Sequence, residues 1–310
     1  MTKHTYAILG ATGQIGQVLS RELLKLGHKV RAIGRNKEKL QHLKELGAET
    51  YQIAFDDAAA LAKAFQGVNA VFSFVPPAPD SDDLGSFQDK VGEAIVQALI
   101  AAKVTHVLNL SSIGAQLPNG TGPIKGLFRQ ESRLNALSSL NVLHLRPGFF
   151  MENLNFSIPT IKATGHNAST LRADLGILMV STMDIGLKAA ELLHALKFTG
   201  HSVFEYVGPH AITMSEATAL LGKAIGKPGL KYVQLTNAEA EKGMLAHGMK
   251  LNSVKLMLEM NQAFNENKIS LTQKLSAENK GHTSFEDFTK TFSRTYLSAE
   301  TTRPLAHSHS

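Results

Sequence analysis

A glycine-rich turn near the beginning of the chain limits the possible folds more than any other feature. The apolar run Tyr6–Leu9 predicts a short β-strand, and Gly10, Gly13 and Gly16 follow it at G-x-x-G-x-x-G spacing. Over Ile15–Leu26, apolar residues recur at the spacing of an amphipathic helix. A strand, a glycine turn and a helix in this order predict a βαβ unit that binds a dinucleotide.

Each of the three glycines has a chemical reason in such a unit. A pyrophosphate needs backbone N–H donors at close range, and glycine lets the chain approach and turn tightly enough to supply them. We expect Gly10 to end the strand, Gly13 to face the diphosphate and Gly16 to let the helix pack against the strand. A purely structural turn is the alternative, and the position between strand and helix argues against it.

The end of the second strand indicates which dinucleotide is bound. The run Lys29–Ile33 predicts this strand, and Gly34, Arg35 and Asn36 follow it without a carboxylate. An acidic residue at this place would bind the ribose 2′-hydroxyl and repel a 2′-phosphate. Arg35 and, four residues on, Lys39 suit a phosphate instead, which favours NADP(H) over NAD. A solvated basic loop is the alternative.

Strand and helix patterns alternate through the rest of the first half. Further strands are predicted at Glu49–Phe55, Ala70–Val75, His106–Leu110 and Val142–Arg146, and helices at Asn36–Leu46, Ala58–Phe65, Gly85–Ala102 and Ile124–Leu137. The alternation predicts an α/β fold with a doubly wound parallel sheet of the Rossmann type over residues 1–150.

The alternation weakens in the second half of the chain. The patterns predict a helix at Asp184–Leu196, a strand at Ser202–Val207, a helix at Ser215–Ile225 with Ser215 as its N-cap, and mostly helical structure over about Asn237–Leu297. We expect residues 151–300 to form a smaller, mostly helical lobe that closes the substrate cleft, as one intertwined unit with the first part. Residues 301–310 are expected to be a disordered tail.

Composition excludes several classes of function. The chain has no cysteine, which excludes disulfides, thiolate catalysis and cysteine-bound zinc. Its 13 histidines show neither an H-E-x-x-H motif nor an i, i+4 pair, so no metal is expected. The net charge of +6 comes from scattered basic residues, so we expect no nucleic-acid partner. Apolar runs are far shorter than a membrane span needs, and we expect a cytoplasmic protein.

Several segments together carry a family resemblance. They are Gly10–Gly16, Gly34–Asn36, Leu110–Ala115, Leu145–Asn153, Asp184–Gly186, Tyr206–Pro209 and Thr283–Phe288. In this order and spacing the chain resembles, over nearly its whole length, the NmrA-like branch of the atypical short-chain dehydrogenases/reductases. That branch includes NAD(P)H-dependent quinone, azo-dye and triphenylmethane reductases, and also NADP-sensing regulators without evident catalysis.

The resemblance also implies the site residues. Positions that match cofactor-binding residues are Gly10, Thr12, Gly13, Gln14, Ile15, Arg35, Lys39, Val75, Pro76 and Ser111, while Pro77, Phe149, Phe150 and Asn153 match the substrate pocket. Asp56, with Asp57 in the turn after the third strand, either lies near the adenine amino group or belongs to the N-cap of the next helix. The sequence leaves these two roles open.

One expected feature of ordinary short-chain dehydrogenases is missing. None of the five tyrosines has a lysine four residues on, so the Tyr-x-x-x-Lys pair that exchanges a proton with a carbonyl is absent. The helix that should carry the pair contains Glu131, which we interpret as a carboxylate on the helix face rather than a catalytic acid. The NmrA-like branch commonly lacks this pair too, and no catalytic residue is assigned.

Two functions from different classes fit these observations. The first is an NADPH-dependent reductase that transfers a hydride to an apolar, conjugated small molecule such as a quinone or a dye, since such a transfer needs mainly an oriented ring and exclusion of water. The second is a non-catalytic NADP(H) sensor that regulates a partner. A sugar-nucleotide epimerase is disfavoured by the missing pair. The sequence leaves open whether the chain forms a homodimer.

Overall fold

The computed structural model describes residues 3–299, and an α/β sandwich makes up most of it. Its strands are β1 Thr5–Leu9, β2 Lys29–Gly34, β3 Glu49–Gln52, β4 Ala70–Phe74, β5 His106–Leu110, β6 Asn141–Pro147, β7 Phe149–Phe150, β8 His166–Ser169, β9 Gly176–Val180, β10 His201–Tyr206, β11 Ala211–Thr213 and β12 Lys231–Gln234. Its helices are α1 Gln14–Lys25, α2 Lys37–Glu45, α3 Ala58–Phe65, α4 Leu84–Ala101, α5 Ile124–Asn135, a 3₁₀ helix at Met151–Ser157, α6 Ile158–Thr164, α7 Thr182–Ala195, α8 Met214–Ala224, α9 Asn237–Ala246, α10 Leu251–Asn265 and α11 Phe285–Ser298.

A parallel sheet lies at the centre of the fold. Within the described range it has seven strands in the order β3-β2-β1-β4-β5-β6-β10. The chain winds outward from β1 to β3 and then returns to place β4 on the other side of β1. The strand order therefore reverses between β1 and β4, and the predicted doubly wound parallel sheet is confirmed, with β10 as an additional strand.

Apolar side chains cover both faces of the sheet. On one face Leu19 of α1 and Leu193 of α7 belong to one core. On the other face Phe65 of α3, Ile95 of α4 and Leu134 of α5 belong to a second core. Because both faces are covered, the central strands are nearly continuous apolar runs, and this is why they could be recognised in the sequence.

The second half of the chain is more mixed than the sequence predicts. Around a third core lie α6, α8, α10, α11 and two small sheets, with strand orders β11-β9-β7 and β12-β8. Strand β10 and helix α7 belong instead to the main sheet and its covering layer. The division of the chain at residue 150 stays a prediction, and the predicted tail 301–310 lies outside the described residues. No helix within 3–299 is long and apolar enough to cross a membrane.

Two local predictions are wrong. Helix α8 is capped by Thr213 rather than Ser215, because Thr213 and Glu216 form a capping box in which each side chain bonds to the other's backbone N–H. Strand β3 ends at Gln52 rather than Phe55, because the chain turns where the backbone N–H of Asp57 bonds to the carbonyl oxygen of Ala54 at 3.1 Å.

The non-helical segment Leu271–Thr283 lies beside the outermost strand, β10. The fully buried carboxylate of Glu205, on β10, accepts hydrogen bonds from the backbone N–H and the hydroxyl of Thr272 and from the backbone N–H of Gln273. At the other end of the segment, Asp184 accepts two bonds of 2.8 Å from the backbone N–H and hydroxyl of Thr283. Two buried acids thus fix a segment whose sequence was predicted to be mostly helical.

Candidate functional site

The predicted site residues share one edge of the main sheet, at the carboxyl ends of its strands. Across the edge they follow in strand order: Asp56 after β3, Arg35 after β2, Gly10–Ile15 after β1, Val75–Pro77 after β4, Ser111 after β5, and Phe149–Asn153 after β6. In open α/β sheets, ligands bind in the crevice outside this edge, where the strand order reverses. Here that point lies between the Gly10–Ile15 turn and Val75.

The glycine turn is as compact as its spacing predicts. Gly10 has a φ of 64°, in the left-handed region, and its carbonyl oxygen accepts a bond of 2.8 Å from the N–H of Gly13. A Cβ on Gly16 would lie 2.2 Å from that carbonyl oxygen, inside the distance of any real contact. Helix α1 can therefore begin directly behind the turn only because residue 16 is glycine.

The N-terminus of α1 faces the crevice without a side-chain cap. Its N-cap is Gly13, which has no side chain to accept the first helical N–H groups. A Cβ at Gly13 would lie 3.3 Å from the Gly10 carbonyl oxygen, which is a tight contact, so glycine suits this position. Free N–H groups and the positive end of the helix dipole together suit a pyrophosphate.

Arg35 follows the strand end that meets this turn, and Arg35 and Lys39 are both exposed. The turn and the end of β2 are in contact, since a Cβ on Gly34 would lie 3.1 Å from the Thr12 side chain. Asn36 caps α2 by accepting a bond of 2.8 Å from the N–H of Lys39. The cap fixes the backbone between two cationic side chains, and both remain exposed to solvent.

The structure separates the roles of the two aspartates after β3. Asp57 is the N-cap of α3 and accepts a bond of 3.0 Å from the N–H of Ala60. Asp56 lies 2.7 Å from the ammonium group of Lys90 on α4, and this hydrogen bond holds the pKa of the Asp56 carboxyl below its usual value. Asp56 is thus not the cap, and its contact with adenine stays a prediction.

The loop after β4 is held by the second half of the chain. Val75 and Pro76 are buried, whereas Pro77 is exposed. Further along, the carbonyl oxygen of Pro79 accepts a bond of 3.1 Å from the backbone N–H of Lys250, at the start of α10. The Lys250 ammonium group also lies 2.9 Å from Asp82. Helix α10 is therefore docked on the loop that borders the crevice.

Phe149 and Phe150 form the short strand β7, which pairs with β9. The two rings are half-buried and belong to different cores, Phe149 to that of the second half of the chain and Phe150 to that of the sheet. The ring of Phe149 meets Phe264 of α10 edge to face, with centroids 6.0 Å apart. Asn153 follows in the 3₁₀ helix and is half-buried. The substrate pocket that the resemblance implies for Pro77, Phe149, Phe150 and Asn153 stays a prediction.

Ser111 makes a contact that the sequence did not predict. Its hydroxyl donates a bond of 2.5 Å to the carboxylate of Glu131 on α5. The guanidinium group of Arg146, at the end of β6, donates two further bonds to Glu131, at 2.9 and 2.5 Å. All three residues are at most 7% exposed. Glu131 therefore faces the sheet and not the solvent, and its partner Arg146 was not singled out in the sequence.

Two signals in the sequence could have revealed this ion pair. Glu131 shares a helical stripe with Leu127 and Leu134, which predicts that it faces the core. Arg146 ends an otherwise apolar strand, and a buried guanidinium group needs a carboxylate partner. Both charges together predict an ion pair between α5 and β6.

Three of the tyrosines, all at least partly buried, do not replace the missing Tyr-x-x-x-Lys pair. Burial raises the pKa of Tyr6 and of Tyr232 to about 12, and it also raises the pKa of Tyr206. The Tyr6 hydroxyl donates to the carbonyl oxygen of Leu193, beneath the sheet. An activated tyrosine needs a pKa lowered toward neutrality, so these three phenols are unsuited to exchange a proton with an acceptor.

The fold and its glycine turn define a doubly wound α/β protein of the Rossmann type. A family model, the NmrA-like family, matches residues 2–289, and the chain belongs to this family. Among relatives, it is 32% identical over 241 residues to a (4-alkanoyl-5-oxo-2,5-dihydrofuran-3-yl)methyl phosphate reductase of Streptomyces griseus, covering 77% of this chain and 80% of that protein.

Solved structures share the fold. The NADPH-dependent quinone oxidoreductase QOR2 of Escherichia coli, solved in complex with NADPH, matches with a TM-score of 0.77 and 24% identity, over 92% of this chain and 99% of that one. NmrA, a negative transcriptional regulator solved in complex with NAD, matches with a TM-score of 0.73 and 16% identity, over 98% and 99%. The same fold thus serves an enzyme and a regulator.

Proposed function

We propose that this protein is an NADPH-dependent reductase of an apolar, conjugated small molecule such as a quinone or a dye. The observation that carries the proposal is the uncapped N-terminus of α1 at Gly13, with the exposed Arg35 beside it. The first suits a pyrophosphate, and the second suits the 2′-phosphate that distinguishes NADP(H) from NAD(H). The similarity to the Streptomyces reductase and to the quinone oxidoreductase supports a reductase.

The proposed role of each residue follows from its position at the sheet edge. NADPH, when bound, supplies the hydride. The N–H groups at Gln14 and Ile15 would hold the diphosphate, and Arg35 and Lys39 would bind the 2′-phosphate. Because the residues that follow β2 bind the 2′-phosphate, the nicotinamide end of the cofactor extends to the other side of the glycine turn, toward β4 and β5.

At that end, the chain orients the acceptor and keeps water from the hydride. Val75 and Pro76 border the nicotinamide end. We assign Pro77 and the accessible parts of the half-buried Phe149 and Phe150 rings, which belong to different cores, to the acceptor pocket. Apolar contacts of this kind hold a flat, electron-poor ring in reach of the cofactor. Water supplies the proton to the product, and Tyr6 is not placed to do so because its hydroxyl donates to the carbonyl oxygen of Leu193.

The proposal is tested with the purified protein, by following NADPH absorbance with quinones, azo dyes and triphenylmethane dyes. NADPH binding is measured separately, by fluorescence titration. We expect oxidation with at least one acceptor, and its loss in Gly13→Asp, which places a carboxylate where the diphosphate binds. Tight NADPH binding without turnover of any acceptor would refute the reductase.

Arg35→Ala tests the choice of cofactor. It should weaken NADPH binding about tenfold or more, as expected for a charged hydrogen bond, and change NADH binding less than about twofold. Lys29→Ala is the matched control, because Lys29 is an exposed cation at the opposite end of the same strand. Equal losses for NADPH and NADH in Arg35→Ala would refute the role of Arg35.

A cofactor sensor is the second candidate, favoured by the likeness to the regulator NmrA. A sensor binds NADP⁺ and NADPH with unequal affinity and consumes neither. The two dissociation constants, measured beside the acceptor assay, therefore distinguish the candidates.

A further inference from the structure

A cavity of about 430 Å³ lies in the second half of the chain. Strands β9 and β11, helix α8 and the first turn of α11 supply most of its lining. None of the residues assigned above to the cofactor or to the acceptor belongs to this lining. Pockets that take small organic ligands span about 300–1,000 Å³, so the cavity is large enough for a ligand of its own.

The inner part of the cavity is apolar. Met151 and Met179 are at most 2% exposed and Phe285 is 6% exposed, so these three side chains form its deep end. Ile212 and Leu220 are half-buried and line it nearer the surface. Methionine side chains adapt to ligands of different shape. The inner part therefore suits an aromatic or aliphatic group rather than a charged one.

Two glutamates lie at the mouth of the cavity. Glu216 of α8 and Glu286 of α11 are both part of the lining and exposed. Hydrogen bonds from the backbone N–H and the hydroxyl of Thr213 hold the pKa of Glu216 below its ordinary value, so this residue is a carboxylate near pH 7. Both bonds end on its Oε2 atom, which leaves Oε1 for a ligand. Glu286 forms no ion pair within residues 3–299.

The fixed charges at this mouth have one sign. The described residues that line the cavity include no lysine and no arginine. Lys290, one turn along α11 from Glu286, donates a bond of 2.8 Å to Asp287 and is thus paired. An acid in the first turn of a helix stabilises that helix. This accounts for each glutamate separately, but not for the meeting of two at one apolar cavity, where they create a negative potential.

We propose that the cavity binds an amphipathic cation, with its apolar body among the deep side chains and its ammonium group held at the mouth by Glu216 and Glu286. Such a ligand removes its apolar surface from water and keeps its charge beside two carboxylates. The proposal goes beyond the reductase and does not depend on it, because the two sites share no residue. Failure of NADPH binding or turnover would leave it unaffected.

Three ligands that differ only in the charge of one end test the proposal: 4-phenylbutylamine, 4-phenyl-1-butanol and 4-phenylbutanoate. Their binding to the full chain is followed by NMR of the methionine methyl groups. The pH is 8, where an ordinary imidazole carries no charge, because His210 also lines the cavity. We expect the amine to bind with a dissociation constant below about 10 mM, about threefold more tightly than the alcohol, and the carboxylate to bind most weakly.

The methionine signals also locate the ligand. Those of Met151 and Met179 should shift, whereas that of Met244, in the small core between α9 and α10, should not. Saturating NADPH should leave the affinity for the amine unchanged, and competition would place the probe in the cofactor crevice and refute a separate site. The proposal would also be wrong if the amine did not bind at about 10 mM, or if the carboxylate bound as tightly as the amine.

Two variants separate the charge from the space. Glu286→Gln should weaken binding of the amine about two- to fivefold, the range of an exposed ion pair, and leave binding of the alcohol unchanged. Ala219→Phe places a ring in the cavity from the exposed side of α8 and should weaken both ligands about tenfold or more. Unchanged binding of the amine in either variant would overturn the proposal.

Each variant has a matched control. Glu278→Gln removes the charge of an exposed glutamate outside the lining, and Ala219→Ser keeps the space that phenylalanine would fill. Both controls should bind the amine as the unaltered protein does. If thermal melting shows that Ala219→Phe does not fold, the comparison of Glu286→Gln with Glu278→Gln decides, because both positions are exposed. Equal affinities in that pair would overturn the proposal.

Discussion

Mild acid should destabilise this protein through one buried histidine, His144. Its side chain is 1% exposed, and burial is the main cause that lowers its pKa from 6.5 to about 4. The facing charges oppose one another, because Glu131 raises this pKa while Arg146 and His201 lower it. In the unfolded chain the imidazole titrates at its ordinary value.

The size of the effect follows from proton linkage. Between pH 6.5 and about 4 the unfolded state binds a proton at residue 144 that the folded state does not, so stability rises with pH in this window. A difference of about 2.5 pKa units at ~1.4 kcal/mol each gives about 3 kcal/mol. The stability that comes from keeping His144 neutral is complete above pH 6.5 and is lost progressively as the pH falls toward 4.

Urea denaturation from pH 4 to 7 measures the effect against His144→Gln, whose side chain does not titrate. The difference in unfolding free energy between the unaltered protein and this variant should change by about 3 kcal/mol across the window. His166→Gln, at an exposed histidine on β8, should leave the pH dependence unchanged. The reasoning would be refuted if the difference in unfolding free energy between the unaltered protein and His144→Gln did not change with pH. It would also be refuted if NMR showed His144 of the folded protein titrating near pH 6.5.

Three further changes test individual contacts. Gly16→Ala should lower the free energy of unfolding by about 1–3 kcal/mol, because the added methyl group overpacks against the Gly10 carbonyl oxygen, and it should weaken NADPH binding. Gly243→Ala is the control: there is open space around this residue, so urea denaturation should show no loss of stability. Glu205→Gln should lower the free energy of unfolding by about 1–3 kcal/mol, because it turns an amide N–H toward buried donors. The variant should also be cleaved faster by proteases within 271–283, and an unchanged digestion pattern would contradict this. Glu131→Ala should lower the free energy of unfolding by about 3–5 kcal/mol, because it leaves a buried guanidinium group unpaired. The double variant Glu131→Leu/Arg146→Met should lower it much less. Equal losses in the two variants would argue against the ion pair.

Local patterns made the sheet and its edge predictable. Parallel strands buried on both faces are continuous apolar runs, and Gly10–Gly16 joins the first of them to a helix with a clear period. Once the strands were predicted, the residues after them had to share one edge. Arg35 and Ser111 were therefore located together from sequence although 76 positions separate them.

Other features depend on contacts between distant segments and gave no local pattern. Strand β7 has only two residues and exists because β9 pairs with it. The segment Leu271–Thr283 has no helix because Glu205 and Asp184 bind its backbone. Glu131 was interpreted on charge alone, although its place between Leu127 and Leu134 indicated a buried position.

The segment Leu271–Thr283 also affects how the protein behaves at high concentration. The outermost strand of an open sheet presents unpaired N–H and C=O groups, which template aggregation with other chains. On β10 some of these groups are occupied: the Gln273 side chain bonds to the carbonyl oxygen of Val203 and the N–H of Glu205. Just beyond β10, Lys280 forms a bridge with Val207. The two buried acids that hold this segment in place thereby protect the sheet from edge-to-edge association.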